Sequence, residues 1–339
     1  MFPEWTWIVG LLIGAAFGSF LNVVIYRMPL GLSLNEPKNS FCPICKNRLT
    51  ILDLFPLLSW LFLRGKCRHC KAPIPARYFF VEVITGSLWA VVWYQQMIVT
   101  WNVPLAVLYF AMISALVAAT YIDLRWFIIP DQINAFLLVI GLGYNGYLIA
   151  TNAPNAWMWG MPISVAGALL GWGILWGITF LGRILFGKDA MGHGDIKLAR
   201  GMGACLMPLG VGMAVAIAVI AGSFLGIIQA LLRKSQKEAE AEPEGEEEEY
   251  QPETIGSVIK CGIGYLLCFD VIGLFIPKFY KNYFGEDPYA AEDPDDEWNP
   301  GWTHIPFGPY LALGAIGYAL FQPQLYGVWQ AYLRHLGIQ

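Results

Sequence analysis

Charged residues are scarce in this chain. Asp, Glu, Lys and Arg make up 14% of its 339 residues, against about 25% in soluble domains. With 57% hydrophobic residues and a mean hydropathy of +0.52, that deficit argues against a soluble globular protein. The composition also excludes a disordered chain, a collagen and a small disulfide scaffold. No internal repeat is visible. Acids are rarest outside one segment: residues 233–304 carry 6 Lys/Arg against 17 Asp/Glu, and the rest of the chain carries 15 against 8. The net charge of −4 therefore averages a basic chain and one acidic insert.

Charge-free runs predict where the chain crosses a membrane, since a crossing helix needs about 20 mostly apolar residues. Residues 5–26 form one such run, too long and too rich in glycine for a cleaved signal peptide, and they read as a retained helix. The run 83–122 breaks near Thr100–Pro104 and holds two spans, and 132–182 breaks near Thr151–Asn155 and holds two more. The runs 201–232 and 305–333 follow, and Trp and Tyr sit near many of these ends.

Nine Lys/Arg fall in 27–77 and none in the turns near 95–104 and 150–160. The positive-inside rule then puts 27–77 in the cytoplasm and the N-terminus outside. Parity asks for two passes through 196–232, one over about 196–207 and a longer one from Pro208 to Leu232, to return the basic residues after Leu232 to the cytoplasm. In the insert, Glu238–Glu253 holds nine Glu and reads as a solvated stretch. Ile255–Tyr280 is apolar but carries Lys260 and Asp270, which suits an interfacial or re-entrant segment better than a full crossing.

Cys42-Pro43-Ile44-Cys45 and Cys67-Arg68-His69-Cys70 are two C-x2-C pairs separated by 21 residues. Each pair can chelate from a tight turn, and two such turns complete a tetrathiolate site for which zinc is the default metal. Four thiolates leave no vacant position, so the zinc is expected to be structural, folding a loop with little core of its own. A reducing cytoplasm disfavours disulfides there. The loop's positive charge is already explained by topology, so nucleic acid is not an expected partner. Cys205, Cys261 and Cys268 lie in apolar runs and read as packing residues, while His69 could replace one ligand.

Acids in or beside a membrane helix are costly and usually functional. Asp131 follows Pro130 and is well placed as a helix N-cap, and Asp189 sits in a glycine- and lysine-containing loop. Asp195 closes Gly192-His193-Gly194-Asp195, whose glycines permit close backbone approach. Asp123 ends a helix, where its charge opposes the helix dipole and no capping role explains it. Both Asp123 and Asp195 fall at cytoplasmic helix ends. Brought together, two such carboxylates could share a proton and act as acid and base on a peptide bond.

At these residues the chain resembles the type IV prepilin leader peptidases, membrane aspartic proteases of the Gly-x-Gly-Asp kind. Gly18-Ser19-Phe20-Leu21-Asn22 through Met28-Pro29 is similar to the family's N-terminal signature, and the C-x2-C pairs follow it. Arg77-Tyr78 with Val81-Glu82, Ile122-Asp123 with Pro130-Asp131, Gly192 through Leu198, and Ile305-Pro306-Phe307-Gly308-Pro309-Tyr310 complete the pattern in order. The resemblance covers about 1–232 and 305–339; the insert departs from it, lying just before the last signature and apart from the catalytic motifs. It implies catalytic roles for Asp123 and Asp195. It further implies cleavage of short basic leaders from type IV prepilins and type II secretion pseudopilins, after a glycine and on the cytoplasmic face. For many members it implies methylation of the new N-terminal residue with S-adenosylmethionine. No glycine-rich strand–helix motif marks a methyl-donor site in the sequence.

The expected fold class is thus an all-α polytopic protein of the bacterial inner membrane, with about eight transmembrane helices and a small cytoplasmic zinc-binding loop domain. Its divisions are a first helix (1–27), the tetracysteine loop (28–76), the aspartate-bearing core (77–232), the acidic insert (233–304) and a C-terminal helix (305–339). A peptidase without methyltransferase activity is the nearest alternative. A proton- or cation-coupled transporter is more distant, because it calls for acids deep within helices and an internal repeat.

Overall fold

The computed structural model describes residues 2–36, 39–42, 44–187, 191–237, 254–290 and 306–335. Asp189 and Glu238–Glu253 lie outside them. Eleven α-helices appear among the described residues: α1 Trp7–Arg27, α2 Leu58–Phe62, α3 Arg77–Trp93, α4 Val103–Trp126, α5 Asp131–Ala150, α6 Ile163–Phe186, α7 His193–Lys237, α8 Ile255–Leu266, α9 Phe269–Phe275, α10 Pro277–Phe284 and α11 Gly308–His335. The only paired strands described are a two-residue antiparallel hairpin between α5 and α6, with Trp157 opposite Pro162. Five helices are long and apolar enough to cross a membrane, namely Glu4–Arg27, Val103–Trp126, Asp131–Ala150, Ile163–Phe186 and His193–Ile228. The count becomes six if α8 and α9, bent by 71° at their junction, form one span.

The breaks have local causes. Asn102 caps α4, its side chain accepting from the Leu105 N–H at 3.2 Å, with Pro104 in the first turn. Phe127 in the left-handed conformation ends α4, and Gly187 does the same for α6.

Glycine sets how closely the helices approach. Gly10, Gly14 and Gly18 recur every fourth residue along α1 and face Trp93, Trp89 and Glu82 of α3 in reverse order, so the two helices run antiparallel. A Cβ on Gly18 would lie 2.7 Å from the Glu82 Cα. Trp89 then stacks on Phe110 of α4 at 4.4 Å and donates to Ser114 Oγ at 3.2 Å.

The second half of the bundle turns on α7. At about 1.5 Å per residue, the 36 residues His193–Ile228 would reach well past a hydrocarbon core of about 30 Å. They do not run straight. Met207 has φ 63° and ψ 176°, and Pro208 follows. Gly167 of α6 meets both Gly203 and Met207, and Gly171 meets both Ala199 and Val211. One side of Met207 therefore runs antiparallel to α6 and the other parallel: the chain folds back on itself. Beyond the fold, Ala214 packs on Gly314 and Gly210 on Tyr318, which places α11 antiparallel to this second limb.

Candidate active site

The tetracysteine loop closes as expected. Phe41 bridges to Arg48, and Lys66 to Pro73. In each C-x2-C turn the lysine after the second cysteine adopts positive φ, Lys46 at 57° and Lys71 at 60°. Its N–H bonds back to the carbonyl of the first cysteine, Cys42 or Cys67. The two turns are thus copies of one geometry. They bring the four Sγ atoms of Cys42, Cys45, Cys67 and Cys70 within 4.8 Å of one another. A tetrahedral zinc with Zn–S bonds of about 2.3 Å needs sulfurs about 3.8 Å apart, and Cys42 and Cys70 stand at 3.9 Å. The donor set fits the metal. Backbone N–H groups of Cys70 and His69 bring the Cys67 thiol down to about 7, which favours its thiolate.

Beside this loop lies a cavity of ≈ 210 Å³ between the C-terminal end of α1, the start of α3 and the thiolate cluster. Tyr26, Phe41, Trp60, Tyr78 and Phe79 line it with Asn22 and Glu82, and Cys42 and Cys67 form part of its wall. Glu82 is buried and accepts the Leu57 N–H at 2.7 Å. Leu57 itself has φ 64° and ψ −52°, and the Leu58 N–H closes onto the Pro56 carbonyl at 2.6 Å. That is a γ-turn of the rare, strained hand, and strain of this kind gathers at functional sites.

Asp123 and Asp195 lie at the same end of the bundle. Asp123 sits in the last turn of α4, 5% exposed, with no hydrogen-bond partner for Oδ2 among the described residues. Asp195 sits in the first turn of α7, and its buried Oδ1 likewise has none. The carboxylates lie within electrostatic reach of each other. Ile129, on the loop between α4 and α5, packs against Gly194 on one side and Gly308 on the other, which ties together all three elements around the pair.

Two expectations are corrected. Asp131 does not cap α5. It occupies the first helical position, and its carboxylate is buried against Lys197 Nζ at 2.6 Å and the Tyr280 hydroxyl. Nor does the insert lie apart from the aspartate motifs: α8–α10 contact His193 and Lys197 of the second motif, Arg200 just after it, and Asp131 of the first, and Pro288, beyond α10, accepts from the Gln132 side chain. The physical reason is the same in both cases. A buried lysine and arginine on α7 each need an anion, and Asp131 and Asp270 supply them. An acid within an apolar segment was the available signal for Asp270.

Comparison with known proteins follows this division of the chain. A profile of the bacterial peptidase A24 N-terminal domain matches residues 12–96, and one of the type IV leader peptidase family matches residues 110–228. The chain is 36% identical over 242 residues to a prepilin leader peptidase/N-methyltransferase of Aeromonas hydrophila, covering 64% of this chain and 78% of the relative. It is 38% identical over 198 residues to one of Klebsiella pneumoniae, covering 57% and 82%. It is 32% identical over 266 residues to one of Pectobacterium carotovorum subsp. carotovorum, covering 69% and 87%. No solved structure matches. With both profiles in the order of the tetracysteine and aspartate halves, and relatives of this identity matched over most of their length, the chain belongs to the type IV leader peptidase family.

Proposed function

We propose that this protein is an inner-membrane aspartic endopeptidase that removes the short leader from type IV prepilins or pseudopilins and then N-methylates the new N-terminus. The observation that carries the reading is the pair Asp123 and Asp195, each with a buried, unpartnered carboxylate oxygen among the described residues, at the same end of the bundle. Their helix positions divide the work. Asp195 stands at a helix N-terminus, which favours its charge, and Asp123 at a C-terminus, which favours the protonated form. Asp195 takes a proton from water as the hydroxyl adds to the scissile carbonyl carbon, and Asp123 gives its proton to the carbonyl oxygen. As the tetrahedral species collapses, the C–N bond breaks, the departing amine takes up the proton held by Asp195, and Asp123 recovers its own from a hydroxyl of the gem-diol. The products are a free leader carboxylate and a new N-terminal amine.

The thiolate cluster holds one structural zinc, and Cys42, Cys45, Cys67 and Cys70 are its ligands. S-adenosylmethionine supplies an electrophilic methyl group to the amine when bound. The cavity beside the cluster suits it: five aromatic rings line it and can stack on a purine and face a sulfonium, and Glu82 can accept from the amino-acid tail.

In this reading the tetracysteine loop and both aspartates face the cytoplasm, with the N-terminus outside. Crossings by α1, α3, α4, α5, α6, both limbs of α7 and α11 make about eight. Segment α8–α9 is re-entrant, and lipid surrounds the bundle. Catalytic Asp123 and Asp195 are tested by Asp123→Asn and Asp195→Asn in a prepilin cleavage assay. Loss of cleavage in both is expected, and wild-type cleavage in either would sink the two-aspartate mechanism.

A further inference from the structure

The segment that departs from the family pattern is docked on the helix that carries Asp195. Lys197 and Arg200 follow Asp195 along α7, and both are buried, 7% and 3% exposed. Arg200 is held in a fork by Asp270 of α9, itself 1% exposed, with Nη1–Oδ1 at 3.0 Å and Nη2–Oδ2 at 2.5 Å. The same guanidinium donates to the Tyr265 carbonyl at the end of α8. Lys197 reaches Asp131 and also the Tyr280 hydroxyl of α10 at 3.2 Å. The Tyr265 ring lies 5.0 Å from its ammonium and meets the His193 ring edge-on at 5.7 Å. On the α6 side, Gly262 presses against Trp176, whose indole N–H donates to the Val258 carbonyl at 3.2 Å.

Close packing of Ala199 and Gly203 on α6 sets the helix as a whole; the two-pronged guanidinium–carboxylate pair adds a directional hold on its first turns, with a second anchor one turn away at Lys197. These anchors lie on the residues immediately after Asp195, at the end of α7 that faces Asp123. Misplacing a reacting group by about 1 Å costs on the order of 100-fold in rate, so an anchor at this point acts on catalysis as well as on stability.

We infer that α8–α10 is a positioning element of the aspartate site: Asp270 and Tyr280, acting through Arg200 and Lys197, hold the turn of α7 that presents Asp195. Neither residue touches the reacting atoms. The inference rests on the reading of Asp195 as catalytic.

The test uses the full chain in lipid nanodiscs with a prepilin substrate, reading kcat, KM and Tm together. Asp270→Asn leaves a buried guanidinium without its anion, and both Tm and kcat are expected to fall. The double variant Arg200→Met with Asp270→Leu removes both charges, which restores stability where a half-broken pair does not. It is expected to recover Tm while kcat stays about tenfold or more below wild type, with KM within about twofold. Wild-type kcat in that double variant overturns the inference, because the pair then serves stability alone. Where the double variant does not fold, Tyr280→Phe decides: lowered kcat at unchanged KM and Tm supports positioning, and wild-type kcat overturns it. Asp195→Asn separates the two layers. If it still cleaves, the reading of the site falls; if it is inactive while the positioning variants are wild type, only the inference falls.

Discussion

Gly308 sits directly against Asp123. A Cβ at position 308 would lie 2.5 Å from Asp123 Oδ2 and 3.0 Å from Ile129 Cδ1. Since α11 starts at Gly308, the last signature of the chain reaches the carboxylate through backbone alone. The absent side chain keeps Oδ2 open. This relationship explains why a glycine stands between Phe307 and Pro309, and it makes the position a direct probe of the site.

Gly308→Ala is expected to push the Asp123 carboxylate aside. Overpacking of this kind costs about 1–3 kcal/mol, so the fold should survive while prepilin cleavage falls by about tenfold or more. Cleavage rate and Tm measured on the same preparation check it; unchanged cleavage would show that Oδ2 does not need the space.

Metal content provides a second check. One zinc per chain is expected, and Cys67→Ser or chelation should remove it. Because Cys42 and Cys67 also wall the cavity, methylation should fail before cleavage does. Mass spectrometry of the processed pilin reads both events at once, and cleaved pilin that stays fully methylated after zinc loss would contradict the placement of the methyl donor.

Glu82→Gln addresses that cavity without touching the thiolates. Glutamine keeps an acceptor for the Leu57 N–H but loses the negative charge. Methylation of the mature N-terminus is expected to drop while leader cleavage stays near wild type. Equal loss of both would place Glu82 in the fold and not in the methyl-donor site.

Asp53 gives the loop an acid-sensitive tie. Burial pushes its carboxyl up. Hydrogen bonds from Thr50 Oγ1 at 2.6 Å, Thr50 N at 2.9 Å and Arg68 Nε at 2.5 Å outweigh that effect and hold it at about 2, below the ordinary 3.8. A depressed folded-state value stabilises above the unfolded value. The contribution is therefore complete above about pH 4 and is lost as pH falls toward 2. The half-exposed Arg68 screens the pair, so Asp53→Asn should cost about 1 kcal/mol at pH 7. Limited proteolysis of the loop should show that difference shrink between pH 4 and pH 2.

Close helix approach supplies the last prediction. Gly167 of α6 stands against the Gly203 carbonyl and the Met207 backbone, with no room for a side chain. Gly167→Leu is expected to separate α6 from both limbs of α7 and to destabilise by more than about 3 kcal/mol, read as loss of a monodisperse detergent-solubilised species. A normal Tm would refute the folded-back arrangement at Met207.

Much of the architecture was legible before any coordinates. Charge in an apolar chain is expensive, so charge-free runs mark helices, and an acid at a helix C-terminus has no structural excuse. Asp123 stood out on those grounds, and the paired C-x2-C spacing marked the thiolate cluster. Parity of basic residues divides 196–232 near 207, and the backbone breaks at Met207 and Pro208. Asp131 misled because Pro-Asp before an apolar run is equally good as a cap and as a buried counter-ion.

What only tertiary structure decided is who faces whom. Arg200 and Asp270 are 70 residues apart and Asp131 and Tyr280 are 149 apart, and no local pattern relates them. Pairing of buried charges is a property of packing: each cation on α7 takes whichever anion the fold delivers to it. The scarcity of charge makes Asp123 and Asp195 the candidates from sequence. The same scarcity hid the role of the insert until the chain was folded, when its Asp270 proved to be the anion that Arg200 requires.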